Sequence, residues 1–242
     1  GDRMDITCMF SDVRDFTTIS EGLSPQELST VMNEYMNKMT GIVFETQGTL
    51  DKYIGDAIVA YWGAPLPVEG HPGLAVEAAI RMINIMPELN REFEEKGYPE
   101  FKIGIGLNSG ECSVGNMGSD FIFSYTALGD NMNLGARLEG LCKPYGSQIT
   151  VSEFTWERID HTKFKGRILD KVKVKGKEKP VAIYEIFHDH HPLKSDPKGV
   201  EMYEHAYRLF VDQFFDKAGQ YLEAFLEVYT DDVAAGRLSE VR

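Results

Sequence analysis

Cysteine, tryptophan and positive charge are all scarce in this chain of 242 residues, and it has no long apolar run. Its three cysteines (Cys8, Cys112, Cys142) form an odd set without Cys-x-x-Cys spacing. That excludes a disulfide scaffold and a structural zinc site, and it points to a reducing compartment with each cysteine acting as a small buried hydrophobe. Basic residues number 25 against 38 acidic ones, a formal charge of −13. Such a molecule repels nucleic acid and anionic lipid as a whole, so neither is expected as a partner. A small anionic ligand needs a metal ion or a local basic cluster. The longest stretch free of Asp, Glu, Lys and Arg runs from Ala57 to Val68, twelve residues with two prolines. A membrane span needs about 18–20 apolar residues, and no signal peptide opens the chain, so no direct membrane contact is expected from this segment.

What is present is a regular alternation of strand and helix signals. Asp5 to Ser11 reads as a buried strand. Ser24-Pro25-Gln26-Glu27 then combines a capping serine, a proline at the first helical position and a glutamate three residues on, which predicts a helix start. Behind it Leu28, Val31, Met32, Tyr35, Met36, Met39, Ile42 and Val43 keep a helical period. Thr49 to Ile54 and Ala57 to Trp62 flank Gly55-Asp56, the signature of a tight hairpin. A second helix is predicted from about Leu74 to Glu95, closed by Gly97 and kinked or broken near Met86 by Pro87. Phe101 to Leu107 and the residues after Gly110 read as separate strands, Asp130 to Leu141 as a third helix, and 164–175 and 180–188 as late strands. Strand, helix, hairpin, helix, strand is the order of a ferredoxin-like α+β core (βαββαβ) with helices on one face of the sheet.

Asp189 to Gly199 has two prolines and no apolar period, so it reads as a linker after a main domain of residues 1–188. In 200–242, Tyr203, Ala206, Tyr207 and Phe210 line one helix, and Phe214, Ala218, Tyr221, Leu222, Phe225 and Tyr229 line another. These spacings resemble one tetratricopeptide unit of about 34 residues, with a plain helical hairpin as the alternative. A single unit cannot bury its own face, so it should pack on the main domain or on a protein partner.

Four clusters carry chemical potential. Asp12 ends a buried strand and Asp56 sits at a hairpin tip; converging, they would offer hard oxygen ligands to Mg²⁺ or Mn²⁺. An Asp in a Gly-Asp turn also serves the turn itself. The residues after Asp12 look like the first turn of a helix, where free N–H groups suit a phosphate. Asn133 and Arg137 stand at i and i+4 on one helix face, an amide beside a guanidinium that forks onto phosphate oxygens. Lys173, Lys175, Lys177 and Lys179 form the one dense basic run, the natural place for a phosphate tail in an acidic chain, although lysines also guard plain strand edges.

Together these stretches resemble a family. From about Gly1 to Phe187 the chain is similar to the class III nucleotidyl cyclase catalytic domain, in a bacterial or soluble-type branch. The matching motifs, in family order, are Phe10–Thr17, Gly48–Ala57, Tyr125–Glu139 and Val174–Lys177. The resemblance implies that Asp12 and Asp56 hold two divalent cations (Mg²⁺ or Mn²⁺), with the Val13 carbonyl as a further ligand. Phe16 and Thr17 would grip the terminal phosphates, and Lys175 would contact the phosphate tail. Lys52 and Thr126 fall at the two base-selecting positions; Asn133 would position the ribose and Arg137 would stabilise charge at the α-phosphate. Lysine can donate to adenine N1 and threonine oxygen can accept from N6, whereas guanine presents a donor at N1. The implied activity is therefore an adenylyl cyclase making 3′,5′-cyclic AMP and pyrophosphate from ATP, with guanylyl cyclase and a silent nucleotide-binding module as alternatives.

The family also implies sites built from two domains. With every group present in one chain, a head-to-tail homodimer with two composite sites is expected. Some members of this branch respond to bicarbonate, an expectation that a rate indifferent to bicarbonate at fixed pH would end. Asp15 stands where the family usually has Gly, and Lys102 stands where many members carry an Arg that reaches the triphosphate. The abrupt strand pattern at Gly1 suggests a cytoplasmic piece of a longer, membrane-bound or sensor-linked protein.

Overall fold

Alternation along two long strands organises the molecule. The computed structural model describes residues 1–174 and 179–240. Strand β1 (Asp2–Val13) pairs antiparallel with β4 (Ile103–Gly118) along its whole length, from Asp2↔Val114 to Val13↔Ile103. On β4 the odd positions Ile103, Ile105 and Leu107 enter the main core, together with Met9 and Val13 of β1. The even positions Gly104, Gly106 and Gly110 leave the opposite face bare. The two strands expected around Phe101–Leu107 and after Gly110 are thus one sixteen-residue strand, because its partner is long enough to hold Asn108 to Gly110 in register.

Helix α1 (Phe16–Glu21) is short; α2 (Pro25–Glu45) starts at the expected capping box. Ser24 Oγ accepts from the Glu27 N–H at 3.3 Å, and the Glu27 carboxylate accepts from the Ser24 N–H at 2.8 Å. The hairpin β2 (Thr49–Ile54) and β3 (Ala57–Trp62) turns at Gly55, whose φ of 62° suits glycine. Helix α3 (His71–Glu95) begins three residues before the expected Leu74 and runs through Pro87 without a break. Proline removes one helical hydrogen bond, but Ile83, Met86 and Leu89 remain in the core on either side and keep the helix on its line.

Strands β5 (Phe123–Leu128) and β6 (Ile149–Ser152) and the single turn α5 (Glu153–Trp156) were not expected from sequence. With β7 (Gly166–Val172) and β8 (Val181–Ile186) they complete an eight-stranded sheet of order β2-β3-β1-β4-β6-β8-β7, with β5 paired to β4. Its first four strands keep the ferredoxin-like order, all antiparallel.

Helices α2 and α3 cover one face. Helix α4 (Asp130–Tyr145) covers the other, so the sheet is not covered on one side alone. A Cβ on Gly106 would lie 2.2 Å from the Glu139 nitrogen, and one on Gly135 would lie 2.6 Å from Cys8 Sγ. Glycine on both surfaces is what lets helix and sheet approach so closely.

Residues 189–196 hold close to the main body through buried Leu193 and through Asp189, whose carboxylate accepts from the Asn84 side chain. Helices α6 (Pro197–Val211) and α7 (Phe215–Val228) are the expected pair, and a third, α8 (Val233–Glu240), follows. Their buried residues Tyr203, Leu222, Phe225 and Ala234 join Leu134 and Leu138 of α4 in a second core, so the extension packs on the main domain.

Candidate active site

Register brings the two key carboxylates together. Alternation sets Asp12 on the same face as Cys8 and Phe10, beneath α4, and the pairing Ser11↔Ile58 lays the end of β1 beside the β2–β3 turn. There the Asp56 carboxylate accepts the Val13 N–H at 3.1 Å. Burial, reinforced by the adjacent Asp56 carboxylate and the charge of Glu139, pushes the Asp12 carboxyl up to about 7. Two carboxylates crowded in this way fit a divalent cation, whose charge relieves their repulsion and whose preference is for hard oxygen ligands. Among the described residues no group of three or more His, Cys, Asp and Glu could hold a metal. Backbone and substrate oxygens would have to complete any coordination shell.

Around this pair lie groups that sequence reasoning did not single out. Glu139 is half-buried and pairs with Arg14 at 3.0 Å. Burial raises its carboxyl despite that partner. The Arg14 guanidinium lies over Gly104, where a Cβ would stand 1.8 Å from Nη2, and that nitrogen is buried without a hydrogen-bond partner. Gly135 and Glu139 share the sheet-facing side of α4, one turn apart, which was the available clue. Asp15 adopts a left-handed conformation (φ 53°) as the residue before α1. That backbone explains why glycine suits the position, and Asp is among the few other residues that tolerate it. Its carboxylate pairs with Lys143 at 3.1 Å, so the extra negative charge has a cationic neighbour on α4.

Phe16 opens α1, half-buried against the main core, and Thr17 beside it is exposed. Lys102 is exposed just before β4, and its carbonyl accepts the Arg14 N–H at 2.7 Å. Lys52 lies on the edge strand β2 at a register shift. Its ammonium stands 3.5 Å from Asp51, whose side chain is almost fully buried and whose Oδ1 has no hydrogen-bond partner among the described residues. Thr126 on β5 pairs with Gly115, and its Oγ1 is buried and likewise without a partner among the described residues. Asn133 and Arg137 are both exposed on α4. Lys175 and Lys177 lie outside the described residues.

Asp12, Val13 and Asp56 therefore meet, with Phe16 and Thr17 on the adjoining turn and helix. Among the described residues no hydrogen bond or ion pair links Lys52, Thr126, Asn133 or Arg137 to that cluster. A sheet of this order carrying a strand-end carboxylate beside a hairpin carboxylate is a nucleotidyl cyclase architecture. Residues 2–187 match the family model for the adenylate and guanylate cyclase catalytic domain, and the chain belongs to that family, whose catalytic domains depend on divalent metals.

Three similar proteins frame it. Adenylate cyclase 1 of Rhizobium meliloti is 35% identical over 185 residues, covering 76% of this chain and 28% of the relative. The adenylyl cyclase CyaB from P. aeruginosa superposes with a TM-score of 0.72 at 32% identity, over 78% of this chain and 97% of that one. The guanylyl cyclase Cya2 superposes with a TM-score of 0.70 at 35% identity, over 80% and 97%. The chain spans little of the length of the curated relatives it matches, 28% of the Rhizobium protein and 36% of another. No helix among the described residues is long and apolar enough to cross a membrane.

Proposed function

We propose that this chain is an adenylyl cyclase that converts ATP to 3′,5′-cyclic AMP and pyrophosphate, working as a head-to-tail homodimer with two composite sites. The observation that carries the reading is the meeting of Asp12 and Asp56 at the end of β1, where burial and mutual repulsion prepare two carboxylates for cations. Two divalent cations, Mg²⁺ or Mn²⁺, would lower the pKa of the ribose 3′-hydroxyl and screen the phosphates. Asp12, Asp56 and the Val13 carbonyl would hold them.

Lys52 donates to adenine N1 and Thr126 Oγ1 accepts from N6; the buried, unpartnered Thr126 oxygen supports this, since such an atom wants a ligand. Asp51, 3.5 Å from the Lys52 ammonium, restrains where that side chain can point. Asn133 orients the ribose; the ribose 3′-hydroxyl gives up its proton to water or to a substrate phosphate oxygen, and the 3′-oxygen bonds in line to the α-phosphorus as the bond to the β-phosphate oxygen breaks. Arg137 supplies positive charge where the pentavalent centre becomes more negative. Phe16, Thr17, Lys102 and Lys175 engage the phosphates that leave as pyrophosphate. Lysine at 102 keeps the charge of an arginine without its two-pronged fork.

The exposure of Asn133 and Arg137, with no hydrogen bond or ion pair to Asp12 or Asp56 among the described residues, supports a partner copy as the source of the second half-site. Residues 1–188 then form the catalytic domain, 189–199 a linker and 200–242 a helical extension, acting on the cytosolic side in signal transduction.

A guanylyl cyclase is the second reading, favoured by the 35% identity to Cya2 and opposed by Lys52, which sets donor against donor at guanine N1. The test is product identification from the purified chain with ATP or GTP, in Mg²⁺ and separately in Mn²⁺, by chromatography with mass detection. Cyclic AMP from ATP alone is expected. Cyclic GMP would overturn the base assignment, and no product at high protein concentration would favour a silent nucleotide-binding module.

A further inference from the structure

The helical extension touches the main domain at chosen places. Asp232, in the bend between α7 and α8, uses both carboxylate oxygens. Oδ1 accepts the Ala235 N–H at 2.9 Å and caps α8, and Oδ2 pairs with Arg167 Nη2 at 2.8 Å. Arg167 is buried on β7 and its Nε donates to Glu185 on β8, its directly opposed neighbour, at 2.9 Å. Glu185 also meets His191 Nε2 at 3.2 Å, and the Arg167 guanidinium lies over the Tyr203 ring of α6 at 4.4 Å. A buried charged cluster of this kind adds little net stability but fixes geometry, because breaking it leaves a charge unpaired.

The other end of α8 closes a circuit. Arg237 stacks over the Tyr145 ring at 4.6 Å, and its Nη1 donates to the Pro144 carbonyl at 3.4 Å, both in the last turn of α4. Gly146, which ends α4 with φ 65°, sits so close to Val233 that a Cβ there would lie 2.5 Å from the valine Cβ. The Tyr145 hydroxyl bonds to Asp170 back on β7. Thus α8 grips α4 and the β7–β8 hairpin at once. Helix α4 carries Asn133 and Arg137.

We infer that Asp232 is a positioning residue for the cyclase reaction, fixing the seat of α4, and hence of Arg137, through α8 and Arg167. This rests on the catalytic role given above to Arg137. The extension is on this view a working part of the active site rather than an appended module. Displacement of a catalytic group by about an ångström costs up to about a hundredfold in rate, so a small tilt of α4 is enough to matter.

The test uses the full 242-residue chain and Asp232→Ser, which keeps a capping oxygen and deletes the carboxylate that pairs with Arg167 Nη2 while leaving Glu185 in place. Expected are a kcat for ATP lowered about tenfold or more, a KM changed less than about threefold, and recovery by Asp232→Glu. A double-mutant cycle with Arg137→Ala should be non-additive, with Asp232→Ser costing little once Arg137 is gone. A lowered melting temperature with unchanged kcat, or full additivity with Arg137→Ala, would overturn the inference. Arg237→Gln, on the exposed side of α8, guards against misfolding: it should lower kcat without changing the melting temperature greatly, and an unchanged kcat counts against the inference. If Arg137→Ala alone leaves activity intact, the assignment of Arg137 fails instead, a distinct result.

Discussion

Lys52 and Thr126 illustrate how much at the residue scale depends on what surrounds a group. Lys52 is exposed but steered by the buried Asp51, and Thr126 is buried with an oxygen that has no partner among the described residues. Replacing Lys52 by Glu would set an acceptor against the adenine N1 acceptor. Cyclic AMP formation should then fall by on the order of a hundredfold, and GTP should gain relative to ATP in product-resolved kinetics. An undiminished rate from ATP would remove Lys52 from the base pocket. Strand alternation and a two-residue turn fix where Asp12 and Asp56 lie, but it was the resemblance to the cyclase family that singled them out as candidate ligands. Arg14, Glu139 and Asp51 were not legible in the sequence: the Arg14–Glu139 pair joins residues 125 positions apart, and no local period carries that information.

Among the elements, the glycines of β4 decide whether α4 can sit where it does. Gly106→Ala would drive a Cβ into backbone atoms of Gly135, Leu138 and Glu139, which cannot yield as a flexible side chain can. The expected loss is about 1–3 kcal/mol in denaturant unfolding, with a fall in activity as α4 lifts. Wild-type stability in that variant would mean that the helix is not packed against β4 as described.

A second element-scale prediction concerns pH. Burial, aided by the charge of His191, lowers His188 to about 4. The unfolded chain binds a proton at this residue below about 6.5 while the folded protein resists it until about pH 4. Stability is therefore lost as pH falls through that window. Melting temperatures between pH 7 and 5 should drop less for His188→Gln than for wild type; equal slopes would exclude the histidine as the cause. The long helices, the capping box and the hairpin were readable because their signals are local. Strand β6, only four residues long, was not; it exists because β4 and β8 flank it. Pro87 misled for the related reason that packing outweighs one missing hydrogen bond.

For the whole molecule, the proposed composite site requires a second copy. Phe121, Ile122 and Phe123 at the β4–β5 connection are 94%, 79% and 69% exposed, an apolar projection that a second copy could cover. The sequence carried this scale only through its resemblance to a family, since no local pattern encodes which half-site faces which. The most direct measurement is complementation between two crippled chains, Asp56→Ala and Arg137→Ala, each reduced alone to a small residual rate. Heterodimers, demonstrated by differential tagging and purification, should regain activity through one intact composite site, up to about half of the wild-type rate if the two sites act independently. Heterodimers that remain no more active than either parent would contradict the composite site.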